Sequence, residues 1–257
     1  MSDGAVQVTV SEGTLEVAFD RPGRRNALTH AMYAQAVDAL ERASRDADVR
    51  VVLFYGVGGH FTAGNDLEEF AASPPSDTSS PVFRFLRALT SAEKPIVAAV
   101  EGHAVGIGTT MLLHCDLAYA EPSAKFRMPF VDLALVPEGA SSLLLPRRLG
   151  MARAGELLLL GEAFSAADAL EYGLIARIAP DGGVLALARE KARALAAKAP
   201  EAVRLSKSLI RGHDRAATDA AMVAEANVFL DRLRSPELQE AVRAFRERRP
   251  PDFSRAR

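Results

Sequence analysis

The sequence has very little cysteine, and this scarcity excludes several kinds of site. Cys115 is the only cysteine among the 257 residues, so the chain can form neither an intramolecular disulfide nor a cysteine-based metal site. The N-terminus, which reads MSDG, also lacks the basic start and apolar core of a secretory signal. We therefore expect a protein of a reducing, intracellular compartment, the cytoplasm.

An excess of positive charge and a long apolar run are missing as well. The 31 Lys and Arg residues face 33 Asp and Glu residues, which leaves a net charge of −2 and no field to attract a polyanion by counterion release. The longest apolar stretch, residues 102–115, is interrupted by His103 and His114, and it is far shorter than the roughly 20 residues that span a bilayer. We therefore expect neither a nucleic acid nor a membrane as a partner.

The composition is that of a folded protein with one large domain, or one domain with an appendage. Hydrophobic residues make up 49% of the chain and charged residues 25%, which excludes disorder as the main state. Residues 6–10 and 15–19 alternate apolar and polar side chains and predict a β-hairpin. A helix capped by Thr29 and a buried strand at residues 51–54 follow. The order strand, helix, strand predicts an α/β fold with a parallel sheet.

The same alternation returns further along the chain. Residues 82–89 predict a helix, 96–100 a strand, 109–113 a helix and 117–120 a strand. From about residue 165 the sequence is rich in Ala, Glu, Lys and Arg. This change of composition predicts that the rest of the chain is helical.

The C-terminal helices carry apolar residues that need a partner surface. A capping box at Ser165 and Asp168 begins the first of them. An apolar stripe along residues 222–230 requires a partner surface, which is either the sheet or another subunit. We therefore divide the chain into a core at residues 1–195 and a helical oligomerisation region at residues 196–257.

Two glycine-rich loops, residues 56–66 and 102–108, each follow a predicted strand. Neither matches a nucleotide-binding signature, because Phe61 stands where a dinucleotide loop needs its third glycine and no Gly-Lys-Ser/Thr follows Gly106. Glycines let backbone N–H groups approach a ligand closely, and the start of a helix adds partial positive charge. Either loop alone is best explained as a tight turn, but together the two loops can form an oxyanion hole.

Several motifs resemble the enoyl-CoA hydratase/isomerase family, the crotonases, in order and spacing. They are FTAGNDL at 61–67, AVGIG at 104–108, PF at 129–130, LVPEG at 135–139 and FSAADALEYGL at 164–174. The resemblance implies a spiral of repeated strand-strand-helix units and a C-terminal helical region that forms a trimer or a dimer of trimers. It also implies a coenzyme A (CoA) thioester as substrate, with no separate cofactor. The motifs are most similar to those of the peroxisomal-type 3-enoyl-CoA to 2-enoyl-CoA isomerases.

The resemblance also implies roles for individual residues. The backbone N–H groups of Asn65 and Ile107 would hold the thioester oxygen, so that their side chains matter little. The residues expected along the substrate are Ala63, Gly64, Asp66, Leu67, Gly106 and Phe130, with Arg24 or Arg25 near the CoA phosphates and Lys207 and Arg248 as weaker phosphate candidates. We also expect Asp66 to anchor its loop by accepting backbone hydrogen bonds.

The two glutamates with which a hydratase of this family activates water are missing. The corresponding positions hold Thr110 and Phe130, whose side chains accept no proton from water at neutral pH. Glu138 lies in a nearby turn that can project its carboxylate into a pocket. From the residues alone Glu138 is equally well a helix N-terminal glutamate, and the resemblance favours a catalytic base. With Phe130 and Leu135 as apolar neighbours, its pKa is expected to rise toward neutrality.

The sequence therefore predicts an isomerase that converts 3-enoyl-CoA to 2-enoyl-CoA through an enolate held in an oxyanion hole, with Glu138 carrying the proton from C2 to C4. An enoyl-CoA hydratase, or a ring isomerase of phenylacetyl-CoA intermediates, stays open on the same scaffold. A non-catalytic relative that only binds acyl-CoA is the alternative of another class.

Overall fold

A computed structural model describes residues 4–247 and 249–255 of the protein. Its strands are β1 (Ala5–Ser11), β2 (Thr14–Asp20), β3 (Val51–Gly56), β4 (Ile96–Val100), β5 (His103–Val105), β6 (Leu117–Ala120), β7 (Lys125–Arg127), β8 (Phe164–Ser165) and β9 (Arg177–Ile178). Its α-helices are α1 (His30–Arg45), α2 (Leu67–Ala72), α3 (Pro81–Ser91), α4 (Ile107–Thr110), α5 (Ser141–Leu149), α6 (Met151–Gly155), α7 (Ala166–Glu171), α8 (Val184–Ala196), α9 (Pro200–Gly212), α10 (Arg215–Arg232) and α11 (Pro236–Glu247). Strands and helices alternate first, and helices dominate the end of the chain.

The larger of two sheets has six strands in the order β1-β2-β3-β4-β6-β9. The predicted hairpin is confirmed, since β1 and β2 pair antiparallel around a turn that Ser11 and Thr14 close. From β2 onward, each strand runs parallel to its neighbour, which requires crossover connections. The predicted α/β fold is therefore present, and the carboxyl ends of these parallel strands meet at one edge of the sheet.

The second sheet contains β5, β7 and β8, and it explains how the chain winds. The run β4, β5, α4 is followed by the run β6, β7, α5. In each run the first strand joins the large sheet and the second strand joins the small one. This repetition is the spiral of strand-strand-helix units that the sequence motifs implied.

Both faces of the large sheet are covered, because successive strand residues point to opposite faces. Val52 and Phe54 of β3 belong to the main core, which they share with α1 and α3. Val51 and Leu53 point the other way and pack with α8. The buried residues of α8 follow helical spacing and are small: Val184, Ala188, Ala192 and Ala196. Their size lets α8 lie close against the sheet.

Helix α1 begins where the sequence predicted. The side chain of Thr29 accepts a hydrogen bond from the backbone N–H of Met32 at 3.2 Å, as an N-cap residue does. Tyr33, Ala36 and Val37 lie on the buried face of this helix. The phenol group of Tyr33 is therefore buried in the core.

The prediction of a purely helical C-terminal part is wrong at one point. Residues 177–178 form β9, which pairs in parallel with Tyr119 and Ala120 of β6. Two residues are too few to show the alternating pattern of a strand, so the sequence carried no signal for it. The capping box is confirmed, with Asp168 N donating to Ser165 Oγ at 3.2 Å and Ser165 N donating to Asp168 Oδ2 at 2.8 Å.

The C-terminal helices have two kinds of surface. Helix α10 folds back onto the core, where the ring of Phe229 meets the rings of Phe70 and Phe83 edge to face, each with centroids 6.1 Å apart. Helix α9 buries no residue and leaves Leu209 and Ile210 exposed. The division of the chain at residue 196 stays a prediction. Within the described residues, no helix is long and apolar enough to span a bilayer.

Candidate active site

The two glycine-rich loops meet at the carboxyl edge of the large sheet. They follow β3 and β4, which are parallel neighbours, so the fold brings their starts together. Thr62 and Ala104 form a parallel bridge, in which Thr62 N donates to His103 O at 2.9 Å and Val105 N donates to Thr62 O at 3.0 Å. Backbone hydrogen bonds therefore hold together two loops that lie about 40 residues apart in the sequence.

Gly64 and Gly106 are the glycines that this association requires. Gly64 has a φ of +85°, and a Cβ atom built there would lie 2.7 Å from Val105 O in the other loop. Gly106, with a φ of +55°, stands at the N-cap of α4. Any other residue would strain the backbone at both positions, and at Gly64 it would also push the loops apart.

Asn65 and Ile107 present the N–H groups that were predicted to act together. Around Asn65 the loop is pinned by Leu28, whose N–H donates to Gly64 O at 2.7 Å and whose carbonyl accepts from Asp66 N at 2.9 Å. The N–H groups of Asn65 and Ile107 themselves donate no hydrogen bond within the described part of the chain. One lies in the pinned loop and the other begins a helix, which makes both available to an anionic oxygen.

The side chain of Asn65 is also fixed, which the sequence did not predict. Tyr33 on α1 donates its hydroxyl to Asn65 Oδ1, and burial raises the pKa of Tyr33 well above its usual value, with Glu138 and Glu69 adding to the rise. The phenol is therefore a neutral donor. The available signal was a tyrosine on the apolar face of a predicted helix, because buried tyrosines need a hydrogen-bond partner.

Asp66 anchors its loop as expected. Its carboxylate caps α2 by accepting from the backbone N–H groups of Glu68 and Glu69 at 3.0 and 2.9 Å, and Arg21 donates to its other oxygen. Burial alone would raise the pKa of Asp66, but these hydrogen bonds and the Arg21 charge lower it. Leu67 is the first residue of the helix that Asp66 caps.

Glu138 is buried, and its carboxyl group touches the helix that begins at Ile107. Thr110, in that same helix α4, donates its hydroxyl to Glu138 Oε1. The other oxygen, Oε2, is buried without a hydrogen-bond partner among the described residues. Burial raises the pKa of Glu138 to about 8, against the hydrogen bond from Thr110 and with a further rise caused by Glu225. The predicted rise is therefore present.

The alternative interpretation of Glu138, as a helix N-terminal glutamate, is wrong. Helix α5 begins at Ser141 and has no acid in its first turn, so Glu138 lies before the helix. The carboxylate that does meet the start of α5 belongs to Glu225 on α10, which accepts from Ala140 N at 2.6 Å and Ser142 N at 2.9 Å. The role of Glu225 was not predicted from the sequence.

The apolar neighbours expected for Glu138 lie in the same core. Phe130 and Leu135 are both buried and belong to the main core cluster, and Leu135 N donates to Phe130 O at 2.8 Å. Leu86 of α3 approaches the same turn, because a Cβ atom at Gly139 would lie 3.4 Å from Leu86 Cδ2. Apolar side chains therefore make up part of the environment of the turn.

Two histidines join the glycine loops at their starts. The Nδ1 atoms of His60 and His103 lie 3.1 Å apart, so one ring donates and the other accepts. Burial lowers the pKa of His60, and His103 and Arg25 lower it further. The described residues contain no cluster of three or more His, Cys, Asp or Glu that could hold a metal ion.

Two of the candidate phosphate-binding cations, Arg24 and Arg25, lie near the first glycine loop. Arg24 is exposed and lies 3.5 Å from Glu68 in an ion pair. Arg25 is exposed as well, and its carbonyl accepts from Ala63 N at 2.9 Å, which ties it to the first glycine loop. The structure therefore brings both arginines to the loop that carries Asn65.

Lys207 is not brought to this site within the subunit, which corrects its assignment. Its ammonium group donates to Lys94 O at 2.8 Å and pairs with Asp116 at 2.8 Å. Lys94 and Asp116 precede β4 and β6, so Lys207 lies at the amino edge of the sheet, opposite to the glycine loops. Arg248 lies outside the described residues.

Comparison with known proteins gives one consistent family. A family model described as Enoyl-CoA hydratase/isomerase matches residues 9–256. Enoyl-CoA hydratase EchA19 of Mycobacterium tuberculosis is 36% identical over 249 residues, which cover 93% of this chain and 92% of that protein. Enoyl-CoA delta isomerase 2 of Homo sapiens is 34% identical over 249 residues, which cover 94% of this chain and 63% of that protein. This chain thus spans less than two thirds of the human relative.

Solved structures agree with this result. The crystal structure of an enoyl-CoA hydratase/isomerase from Pseudoalteromonas atlantica T6c superposes with a TM-score of 0.91 at 43% identity, covering 96% of this chain and 99% of that chain. The fold expected from the motifs is therefore confirmed. The names of the two relatives above divide between hydratase and isomerase, so they do not decide the reaction.

The close approach of the loops can be tested with a matched pair of glycines. Gly64 and Gly59 both have positive φ, but a Cβ atom at Gly59 meets nothing within 4 Å. Gly59→Ala should therefore cost only the roughly 1–2 kcal/mol of a left-handed non-glycine residue, whereas Gly64→Ala should lower the free energy of unfolding further. Urea denaturation of both variants measures the difference, and equal losses would show that the loops are not in contact at Gly64.

Proposed function

Because the chain belongs to the enoyl-CoA hydratase/isomerase family, we propose that it moves the double bond of a 3-enoyl-CoA to the 2-position. The observation that carries the proposal is the carboxyl group of Glu138, which is buried, held at one oxygen by Thr110 and without a partner at the other among the described residues. A buried oxygen without a hydrogen-bond partner lowers the stability of a fold. A proton-transfer role gives that oxygen a use.

The two backbone donors supply the electrostatic part of the mechanism. When a proton leaves C2, negative charge develops on the thioester oxygen, and the N–H groups of Asn65 and Ile107 would hold that oxygen. Donors that are already in place need no reorganisation during the reaction, and one such donor contributes roughly 10²–10³ in rate. Tyr33 supports this arrangement by fixing the side chain of Asn65.

Glu138 would carry the proton. As a carboxylate it accepts the proton from C2, and the electrons of the C2–H bond enter a dienolate that extends to C4. The carboxylic acid then returns the proton to C4, which leaves the double bond between C2 and C3. A pKa of about 8 suits a group that must both accept and release a proton near neutral pH.

Hydration is the nearest alternative reaction on this scaffold. It needs two groups to position and activate a water molecule, and the family's two glutamate positions hold Thr110 and Phe130. Phe130 is buried and apolar, and the hydroxyl of Thr110 is engaged with Glu138. A ring isomerase of phenylacetyl-CoA intermediates would use the same single carboxyl group, so it is the second candidate.

The CoA part of the substrate would run along the first glycine loop. Residues 63–67 offer main-chain groups at the sheet edge, with Asp66 holding their conformation. Arg25 is the stronger of the two phosphate candidates, because Arg24 already pairs with Glu68. Within the described residues, the Arg25 side chain makes no hydrogen bond or ion pair, so its charge is free for a phosphate.

We also propose that the protein assembles as a trimer or a dimer of trimers. Helix α9 exposes Leu205, Leu209 and Ile210, and α10 exposes Val223 and Val228, which gives the C-terminal region an apolar surface to cover. Light scattering should therefore give three or six times the chain mass. A stable monomer near 27.5 kDa at micromolar concentration would contradict this assembly.

The proposed base is tested by Glu138→Gln. The amide keeps the size of the side chain and an oxygen for Thr110 but cannot accept the C2 proton, so isomerisation of 3-enoyl-CoA should fall by about 10²–10⁴. Binding of CoA should survive. In heavy water the wild type should place little deuterium at C4, provided that the same proton travels from C2 to C4 faster than it exchanges.

Exposed Glu171 on α7, which pairs with Arg153, provides the control variant Glu171→Gln, which should keep full activity. Full activity in Glu138→Gln would remove Glu138 from the mechanism. Fast hydration of 2-enoyl-CoA by the wild type would favour the hydratase, and turnover of a ring-opened phenylacetyl-CoA intermediate alone would favour the ring isomerase. CoA binding with no turnover of any of the three would identify a non-catalytic relative.

A further inference from the structure

The carboxylate of Glu225 binds the start of helix α5 from another part of the chain. It is buried on α10 and accepts from Ala140 N at 2.6 Å, from Ser142 N at 2.9 Å and from the Ser142 hydroxyl. Both of its oxygens are therefore used. These partners lie 83 and 85 residues away in the sequence.

This contact replaces a local helix cap. The N-cap position of α5 is Ala140, which has no capping side chain and adopts a left-handed conformation with a φ of +57°. A helix start carries unpaired N–H groups and partial positive charge, which an anion satisfies. Glu225 supplies that anion from α10. Glu225 is thus an acid within the apolar stripe of α10. Burying its charge there would be unfavourable without these donors.

The same turn is held at two further points. The Nε2 atom of His114 donates to Gly139 O across 2.7 Å, and the hydroxyl of Ser141 donates to Glu138 O at 2.7 Å. Burial lowers the pKa of His114 to about 4, so its ring is neutral. The residues that follow Glu138 are therefore fixed on one side by His114, four residues after the end of α4, and on the other side by α10.

Helix α10 also holds the segment that leads into the turn. Arg232 lies two helical turns after Glu225, on the same face of the helix, and donates to Ala134 O at 3.0 Å. Between these two contacts Phe229 packs on Phe70 and Phe83. One face of α10 thus fixes both ends of residues 134–142.

We infer that Glu225 is a positioning residue for Glu138, holding the turn at Ala140 and Ser142 so that the free carboxyl oxygen of Glu138 faces the bound thioester. This inference rests on the proposed role of Glu138 as the base. It makes α10 part of the proton-transfer machinery, although α10 contributes no group that touches the reacting atoms.

The charge of Glu225 gives this role a measurable signature. The groups that interact with the Glu138 carboxyl are Thr110 from α4, Tyr33 from α1 and Glu225 from α10, and His114 holds the carbonyl of the next residue, Gly139. Thr110, Tyr33 and His114 are uncharged near neutral pH. Burial raises the pKa of Glu225, against its hydrogen bonds from Ser142 and Ala140, and in its ionised form Glu225 raises the pKa of Glu138. Removing that charge should lower the pKa of Glu138.

The experiment compares Glu225→Gln, Glu225→Asp and a control, Glu240→Gln. Glu240 is a largely buried acid on α11 that accepts from Arg249 and from Asp252 N, and its described partners do not belong to the turn. For each protein we would measure kcat and KM for 3-enoyl-CoA across pH. Exchange of the C2 protons of the bound thioester with heavy water is followed by mass spectrometry.

Glu225→Gln should lower kcat by roughly tenfold to 10²-fold, the scale of a misplacement of about 1 Å, with little change in KM. The acidic limb of its pH profile should move to lower pH. Glu225→Asp keeps the charge, so its limb should stay at the wild-type position even where kcat is reduced, and Glu240→Gln should match the wild type. If Glu225→Gln does not fold, Glu225→Asp tests the inference instead. Its kcat should be reduced while the acidic limb of its pH profile stays at the wild-type position.

The inference is overturned if Glu225→Gln retains wild-type kcat, if its limb does not move, or if the Asp variant moves as far as the Gln variant. A wild type that exchanges the C2 protons without isomerising 3-enoyl-CoA contradicts the proposed reaction only, and the exchange rates of the variants then test Glu225. A wild type that does neither overturns both.

Discussion

The burial of one carboxyl group, that of Glu138, is the constraint on which the site depends. An ionised carboxylate removed from water without a full set of partners is unfavourable by several kcal/mol, and here the described contacts provide a single hydroxyl, from Thr110. The protein tolerates the group because its pKa rises to about 8, which keeps much of it protonated at neutral pH. The turn around it contains Ala140 in a left-handed conformation, and such a backbone persists only where its surroundings hold it. His114 and Glu225 do so.

The parallel sheet supplies the other half of the site. Because β3 and β4 are parallel neighbours, the loops after them start at the same edge, and Gly64 allows their backbones to touch. The N–H groups of Asn65 and Ile107 are left without intramolecular partners among the described residues by this arrangement. Thr110 then links the second loop's helix to Glu138. The short helix α4 consequently carries one of the two donors, Ile107, and the hydroxyl that holds the base, that of Thr110.

Much of this arrangement follows from local patterns. The hairpin, the Thr29 cap, the capping box at Ser165 and the anchoring role of Asp66 are short-range features, and the structure contains each of them. Long-range features were harder to predict. The two-residue strand β9 has no pattern of its own, and Lys207 looked free because its partner Asp116 is distant in the sequence. Glu225 was visible only as an acid between Met222 and Ala226 in an apolar stripe, a conflict that signals a buried contact but does not name its partner.

The most direct test of this account is the titration of Glu138 itself. Infrared difference spectra between the wild type and Glu138→Gln isolate the carboxyl signal of this residue, and recording them across pH gives its pKa in the free protein. The account predicts a carboxylic acid band that disappears with a midpoint near 8, because the group is desolvated and faces Glu225. A midpoint near 4.5, the ordinary value of a glutamate, would mean that Glu138 is solvated. It would then be neither the buried group of this structure nor the proposed base.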